Sequence, residues 1–122
     1  MTETSGDFVR TRIETALEML ASSAAHQKKY LEGLGTAPSA DELALELDDF
    51  VGMLPGAVDR GVLSEQEAGA IHRVHDFTGS FSGDKNAALW HVDQLGVAWQ
   101  WAELRKLARA ALDLIRSARH NV

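Results

Sequence analysis

The sequence predicts an all-α fold: a single domain built as a bundle of four to five helices. Three observations predict it. Apolar residues recur three or four positions apart through most of the chain, the spacing that gathers them on one face of a helix. No window shows sustained period-two alternation bounded by turns, as strands require. Helix start and stop signals punctuate the periodic stretches, with Ser-led capping sequences and glycine stops. The stretch from Leu89 to Ile115 dominates the pattern, with Trp90, Trp99 and Trp101 falling within twelve residues. Trp101, Leu104, Ala108, Ala111 or Leu112, and Ile115 make one stripe, which the rest of the chain is expected to cover.

The first helix is expected from about Asp7, its cap, to Leu34. Its stripe is Val9, Ile13, Ala16, Leu17, Leu20, Ala24 and Leu31, with Tyr30 at the edge. Gly33 and Gly35 end it, and Pro38 follows in a short loop. Ser39 opens the second helix as a capping box with Glu42. Leu43, Leu47, Phe50, Val51, Leu54 and Val58 form its buried face. Pro55 lacks a backbone N–H, so the helix is expected to be interrupted near it. Gly61 stops the continuation. Ser64 and Glu67 form a second capping box, which opens the third helix. Its stripe is Ala68, Ile71, Val74 or His75, Thr78 and Phe81. Residues 86–96 read as two short helical turns, the second capped by Asp93. The last helix runs from about Val97 to Ser117. The domain spans 1–122, with residues 1–6 expected to be flexible and 118–122 to fray.

The 122 residues suit one domain that buries its core without disulfides. There is no cysteine, which removes thiolate nucleophiles and Cys-based zinc sites. No apolar run approaches the roughly 18 residues of a membrane span. The polar, acidic start lacks the pattern of a signal peptide. The chain reads as cytoplasmic, with no membrane partner. Its net charge of −6 lies wholly in the first half, where residues 1–61 carry 11 acids against 5 bases. Such a protein repels phosphate backbones, so nucleic acid is not an expected partner and a basic protein is favoured.

No catalytic signature is present: there is no nucleophile elbow, no Walker loop and no His-Glu-x-x-His. No catalytic residue and no cofactor are expected. His72 and His75 stand at i, i+3, a spacing by which helical bundles build metal sites. A third ligand would have to come from His26, His91, Asp48 or Asp49. Solvated boundary histidines are the simpler reading, and no metal is assigned. Asp41, Glu42, Glu46, Asp48 and Asp49 put five carboxylates within nine residues. Asp41 and Glu42 suit the positive end of the helix dipole. Glu46, Asp48 and Asp49 lie past it and are the stronger partner contacts; Leu45 sits off the main apolar stripe, either as an exposed apolar contact beside them or packed on a neighbouring helix. Trp99 stands two residues from Trp101 and must point away from it, making it an aromatic contact or a lid on the core. The last helix carries Arg105, Lys106, Arg109, Arg116 and Arg119, and compensation by the acidic second helix is the expected use of that charge.

Gly61-Val62-Leu63-Ser64-Glu65, Ser82-Gly83-Asp84-Lys85-Asn86, Leu89-Trp90 and the helix from Trp101 to Arg109 together resemble small all-helical bacterial immunity-type proteins associated with toxin genes. His91 departs from the small polar cap expected after the Leu-Trp pair. The resemblance implies a non-enzymatic protein that binds and neutralises a cognate toxin. It supplies no functional residues. With the charge distribution, it leads to an expected immunity protein that blocks a basic toxin domain's active site or substrate groove through an acidic helical face. The alternatives are a small metal-dependent bundle enzyme using His72 and His75, or a homodimeric regulator with Trp99 at its interface. Reversing the charge of Glu46, Asp48 and Asp49 together is expected to weaken partner binding without unfolding the chain, which a pull-down paired with circular dichroism would check.

Overall fold

A computed structural model describes residues 5–35 and 39–120, with side chains over 8–35 and 39–117. The expectations for residues 1–4, for Pro38 and its loop, and for residues 121–122 lie outside the described residues. The chain is all-helical. It runs α1 (Ser5–Ala21), α2 (Ala24–Leu34), α3 (Glu42–Val51), α4 (Leu54–Asp59) and α5 (Glu65–Ser80). Two 3-10 segments follow, Asp84–Trp90 and Val92–Gln94, and then α6 (Trp99–His120). No strand occurs among the described residues, only an isolated antiparallel bridge between Ser39 and His91.

The long helices close a ring. α1 packs on α6, α6 on α5, α5 on α3, and α3 back on α1. Each turns inward the stripe its sequence predicts: Ile13, Leu17 and Leu20 from α1, Leu43 and Leu47 from α3, Ile71 and Val74 from α5. From α6 come Trp101, Leu104, Ala108, Leu112 and Ile115, all fully buried. Burying side chains of this size contributes roughly 1.5–3 kcal/mol each, which makes the ring the main source of stability.

The predicted first helix is two helices. α1 ends at Ala21, and Ser23 caps α2 by accepting from the His26 N–H at 3.1 Å. Gln27 occupies a stripe position and is fully buried. Its amide donates to the carbonyls of Met19 and Leu20 at 3.0 and 3.1 Å, in the last turn of α1, where Met19 also accepts the Ser22 N–H. A polar side chain on the apolar face thus satisfies a helix end that a continuous helix would not have. Arg105 of α6 reaches the same place, donating to the Leu95 carbonyl at 2.8 Å and to Gln27 Oε1 at 3.4 Å. Burial lowers the pKa of Arg105.

The expected capping box at Ser39 does not form. α3 starts at Glu42 with Asp41 in the cap position and no side-chain cap bond. Ser39 is drawn into the bridge with His91, and the Ala40 N–H donates to the Trp90 carbonyl at 2.7 Å. The second box is present: Ser64 Oγ accepts from the Glu67 N–H, and Glu67 Oε1 accepts from the Ser64 N–H. Helix lapses at Gly52 and Met53, and Pro55 stands in the first turn of α4.

Among the described residues no base of α6 pairs with an acid of α3, which occupies the opposite corner of the ring. Arg116 pairs with Glu18 of α1, and Arg109 lies 3.9 Å from Asp113. Arg10 of α1 ties that end of the bundle. It donates to the Val62 carbonyl at 2.8 Å and the Ile115 carbonyl at 2.9 Å, and pairs with buried Glu67 at 3.3 Å. Replacing Arg10 by Leu would leave Glu67 charged and buried. Urea unfolding is expected to show a loss of about 3 kcal/mol, as for other broken buried pairs.

Candidate functional site

An open groove of about 820 Å³ runs between α3 and the segment that follows α5. One wall is the outer face of α3, with Asp41, Ala44, Leu45 and Asp48. The facing side carries Thr78, Ser82, Gly83, Asp84, Ala87, Ala88, Trp90 and His91. Lining acids therefore stand on both sides, with small and apolar residues among them, of which Leu45, Gly83, Ala87 and Ala88 are exposed.

Each wall has a local cause. Asp41, Leu45 and Asp48 are spaced i, i+4, i+7, which places them on one stripe of α3. That stripe is displaced from the buried one of Leu43 and Leu47, so Leu45 is left 44% exposed. The opposite wall is a 3-10 segment without a buried residue of its own. It is fixed from outside. The Trp90 indole N–H donates to the Phe81 carbonyl at 2.8 Å, and the Trp101 indole N–H to the Leu89 carbonyl at 2.7 Å. Trp90 stacks on Phe81 with ring centres 5.0 Å apart, and Trp101 meets both rings edge-on. Thr78, Ser82 and Asn86 then bond in succession to the carbonyls of His75, Thr78 and Ser82. Gly83 makes the turn at φ 96°, a conformation that other L-residues resist.

His91 explains its own departure from the pattern. Its Nδ1 accepts the Asp93 N–H at 3.1 Å, so the imidazole caps the Val92–Gln94 turn in place of the expected Asp93. Accepting that bond leaves Nδ1 unprotonated, which fixes the tautomer and rules out an ion pair through this nitrogen in the same state.

The structure separates the predicted contacts. Asp41, Leu45 and Asp48 line the groove. Glu42 is half-buried in the first turn of α3, and Asp49 is exposed; neither lines it. Glu46 turns towards α1, with Oε1 3.0 Å from Arg12 Nη2. This is a charge contact rather than an aligned hydrogen bond, since no donor points at Oε1. Arg12 also lies over Phe8 and Phe50, so Glu46 belongs to an aromatic and charged patch away from the groove. Asp48 accepts from His75 Nε2 at 2.7 Å, linking α3 to α5 beneath the wall. His72 is exposed. Among the described residues no group of three or more His, Asp or Glu side chains comes together as a metal site. Trp99 is 66% exposed and meets Phe77 edge-on at 6.1 Å, so it lies over the outside of the aromatic cluster.

Asp84, Ala87 and Ala88 were not singled out by sequence reasoning. The Ser82–Asn86 stretch reads as a polar turn, and only the fold brings that turn opposite α3. Trp90 packs against the core and also lines the groove. No family model, curated protein or solved structure matches this chain. No helix among the described residues is long and apolar enough to cross a membrane.

Replacing Trp90 by Phe keeps the stack and removes the N–H, leaving the Phe81 carbonyl without that donor. Thermal unfolding is expected to show a loss of about 1–2 kcal/mol.

Proposed function

We propose that this chain is a non-enzymatic binding protein that neutralises a basic bacterial toxin domain in the cytosol. The groove is its contact site, and it obstructs the partner's active site or substrate groove. One observation carries the reading: the acidic and apolar residues Asp41, Leu45 and Asp48 share an open groove with Asp84 and Trp90. Exposed acids beside apolar lining residues suit an interface, because charge steers the encounter while apolar contact supplies affinity. The resemblance of the second half to immunity-type proteins supports the neutralising role. Of the predicted contacts, Asp41, Leu45 and Asp48 line the groove and are the ones proposed here, while Glu46 faces Arg12 and Asp49 lies outside it.

The test is capture of a partner from the source lysate, followed by a protection assay with that partner expressed in a susceptible host. Asp41→Lys with Asp84→Lys is expected to abolish protection, with helix content and unfolding unchanged. Asp49→Lys, outside the groove, is expected to retain it. Protection that survives the double reversal would overturn the groove as the contact site. A captured partner that is harmless when expressed alone would overturn neutralisation.

A further inference from the structure

We infer that the groove takes one amphipathic basic helix from its partner, a helix carrying Lys or Arg two turns apart with an apolar residue between them. This inference rests on the binding reading above and specifies the partner's element.

Register is the first ground. Asp41 and Asp48 stand seven residues apart on one stripe of α3, with Leu45 between them. On a helix that separation is roughly 10 Å. A second helix laid along α3, in either direction, repeats the same spacing at its own positions i and i+7. It also presents an apolar residue at i+3 or i+4 to Leu45. Charge is the second. The lining includes Asp41, Asp48 and Asp84 and no Lys or Arg. Asp41 and Asp84 are exposed, and neither carboxylate makes an ion pair among the described residues; Asp48 accepts from His75 through Oδ1 at 2.7 Å, and its side chain is otherwise largely exposed. Basic residues on the incoming helix would meet carboxylates on both walls.

Shape is the third ground. Ala44, Ala87, Ala88 and Gly83 are small, so an incoming backbone can approach closely. An extended peptide has less to bind. The extended pair at this site is the single Ser39–His91 bridge, where the Ala40 N–H is already given to the Trp90 carbonyl. Strand addition needs a row of free main-chain groups, and none is offered here among the described residues. A proline-rich segment would need bare aromatic faces, whereas Trp90 is half-buried and stacked on Phe81. The volume of about 820 Å³ suits one inserted element rather than a broad flat interface.

The probe is a displayed library of random short peptides, selected on the full chain. Enriched peptides are synthesised, titrated against the wild type, Asp41→Asn with Asp84→Asn, and Leu45→Arg, and examined by NMR in the complex. Asp41 makes no cap bond, and thermal unfolding of each variant guards against misfolding. The expected winners carry Lys or Arg seven apart around an apolar residue and become helical on binding. They weaken about ten-fold in the double Asn variant, as rim charges at an interface do, and weaken further in added salt. Winners that depend on the groove but bind extended, or that lack the basic pair, would overturn the helix and leave the groove reading intact. Winners indifferent to all three substitutions, or a library yielding no groove-dependent binder, would overturn both.

Discussion

Two indole N–H bonds hold the groove wall opposite α3 in place. The Asp84–Trp90 segment has no fully buried residue and rests on the core through half-buried Leu89 and Trp90. Trp90 and Trp101 add donations to the carbonyls of Phe81 and Leu89, and their rings close around Phe81. A tryptophan suits this use because it combines a large apolar body with one directional donor. The body belongs to the core and the donor fixes a loop. Without that pairing, the wall opposite α3 would have little to fix its distance from the helix.

The bundle behind the groove is closed by polar ties at its seams. Arg10 joins α1 to the end of α6 and to the α4–α5 turn, and Arg105 with Gln27 joins α6 to the α1–α2 corner. Both guanidiniums donate to a turn carbonyl, Val62 for Arg10 and Leu95 for Arg105, and Arg10 also reaches the Ile115 carbonyl within α6. Such bonds add modest net stability, but leaving the buried acceptors unpaired is costly, so they favour one arrangement over its neighbours. The two ties leave α3 and the turn after α5 free to present side chains outward. Asp48 is the exception. Its bond to His75 lends the groove wall some of the rigidity of α5.

The acidic stretch of α3 divides by direction. Glu46 faces α1 and meets Arg12; Asp41, Leu45 and Asp48 face the groove; Asp49 faces solvent. A helix turns 100° per residue, so a dense run of acids cannot act as one surface. The acidic lining of the groove is completed by Asp84, from a segment far along the chain.

The apolar stripes by themselves determined that the chain is all-helical and which faces of α1, α3, α5 and α6 are buried, because helical periodicity is a local property. The Ser64–Glu67 capping box was legible for the same reason, since its partners lie three residues apart. The break at Ser22 and Ser23 carried a faint signal: a serine cap followed by Gln27 on an apolar face. Only tertiary structure decided that Ser39 would leave its helix to pair with His91, that His91 would cap the turn assigned to Asp93, and that Arg105 and Arg116 of α6 would reach the Leu95 carbonyl and Glu18. The groove belongs to the same class. Its two walls are separated by roughly 40 residues of chain, and their meeting depends on ring closure by α5 and α6 and on where two tryptophan donors find their acceptors. Those are long-range pairings, and no spacing along the sequence encodes them.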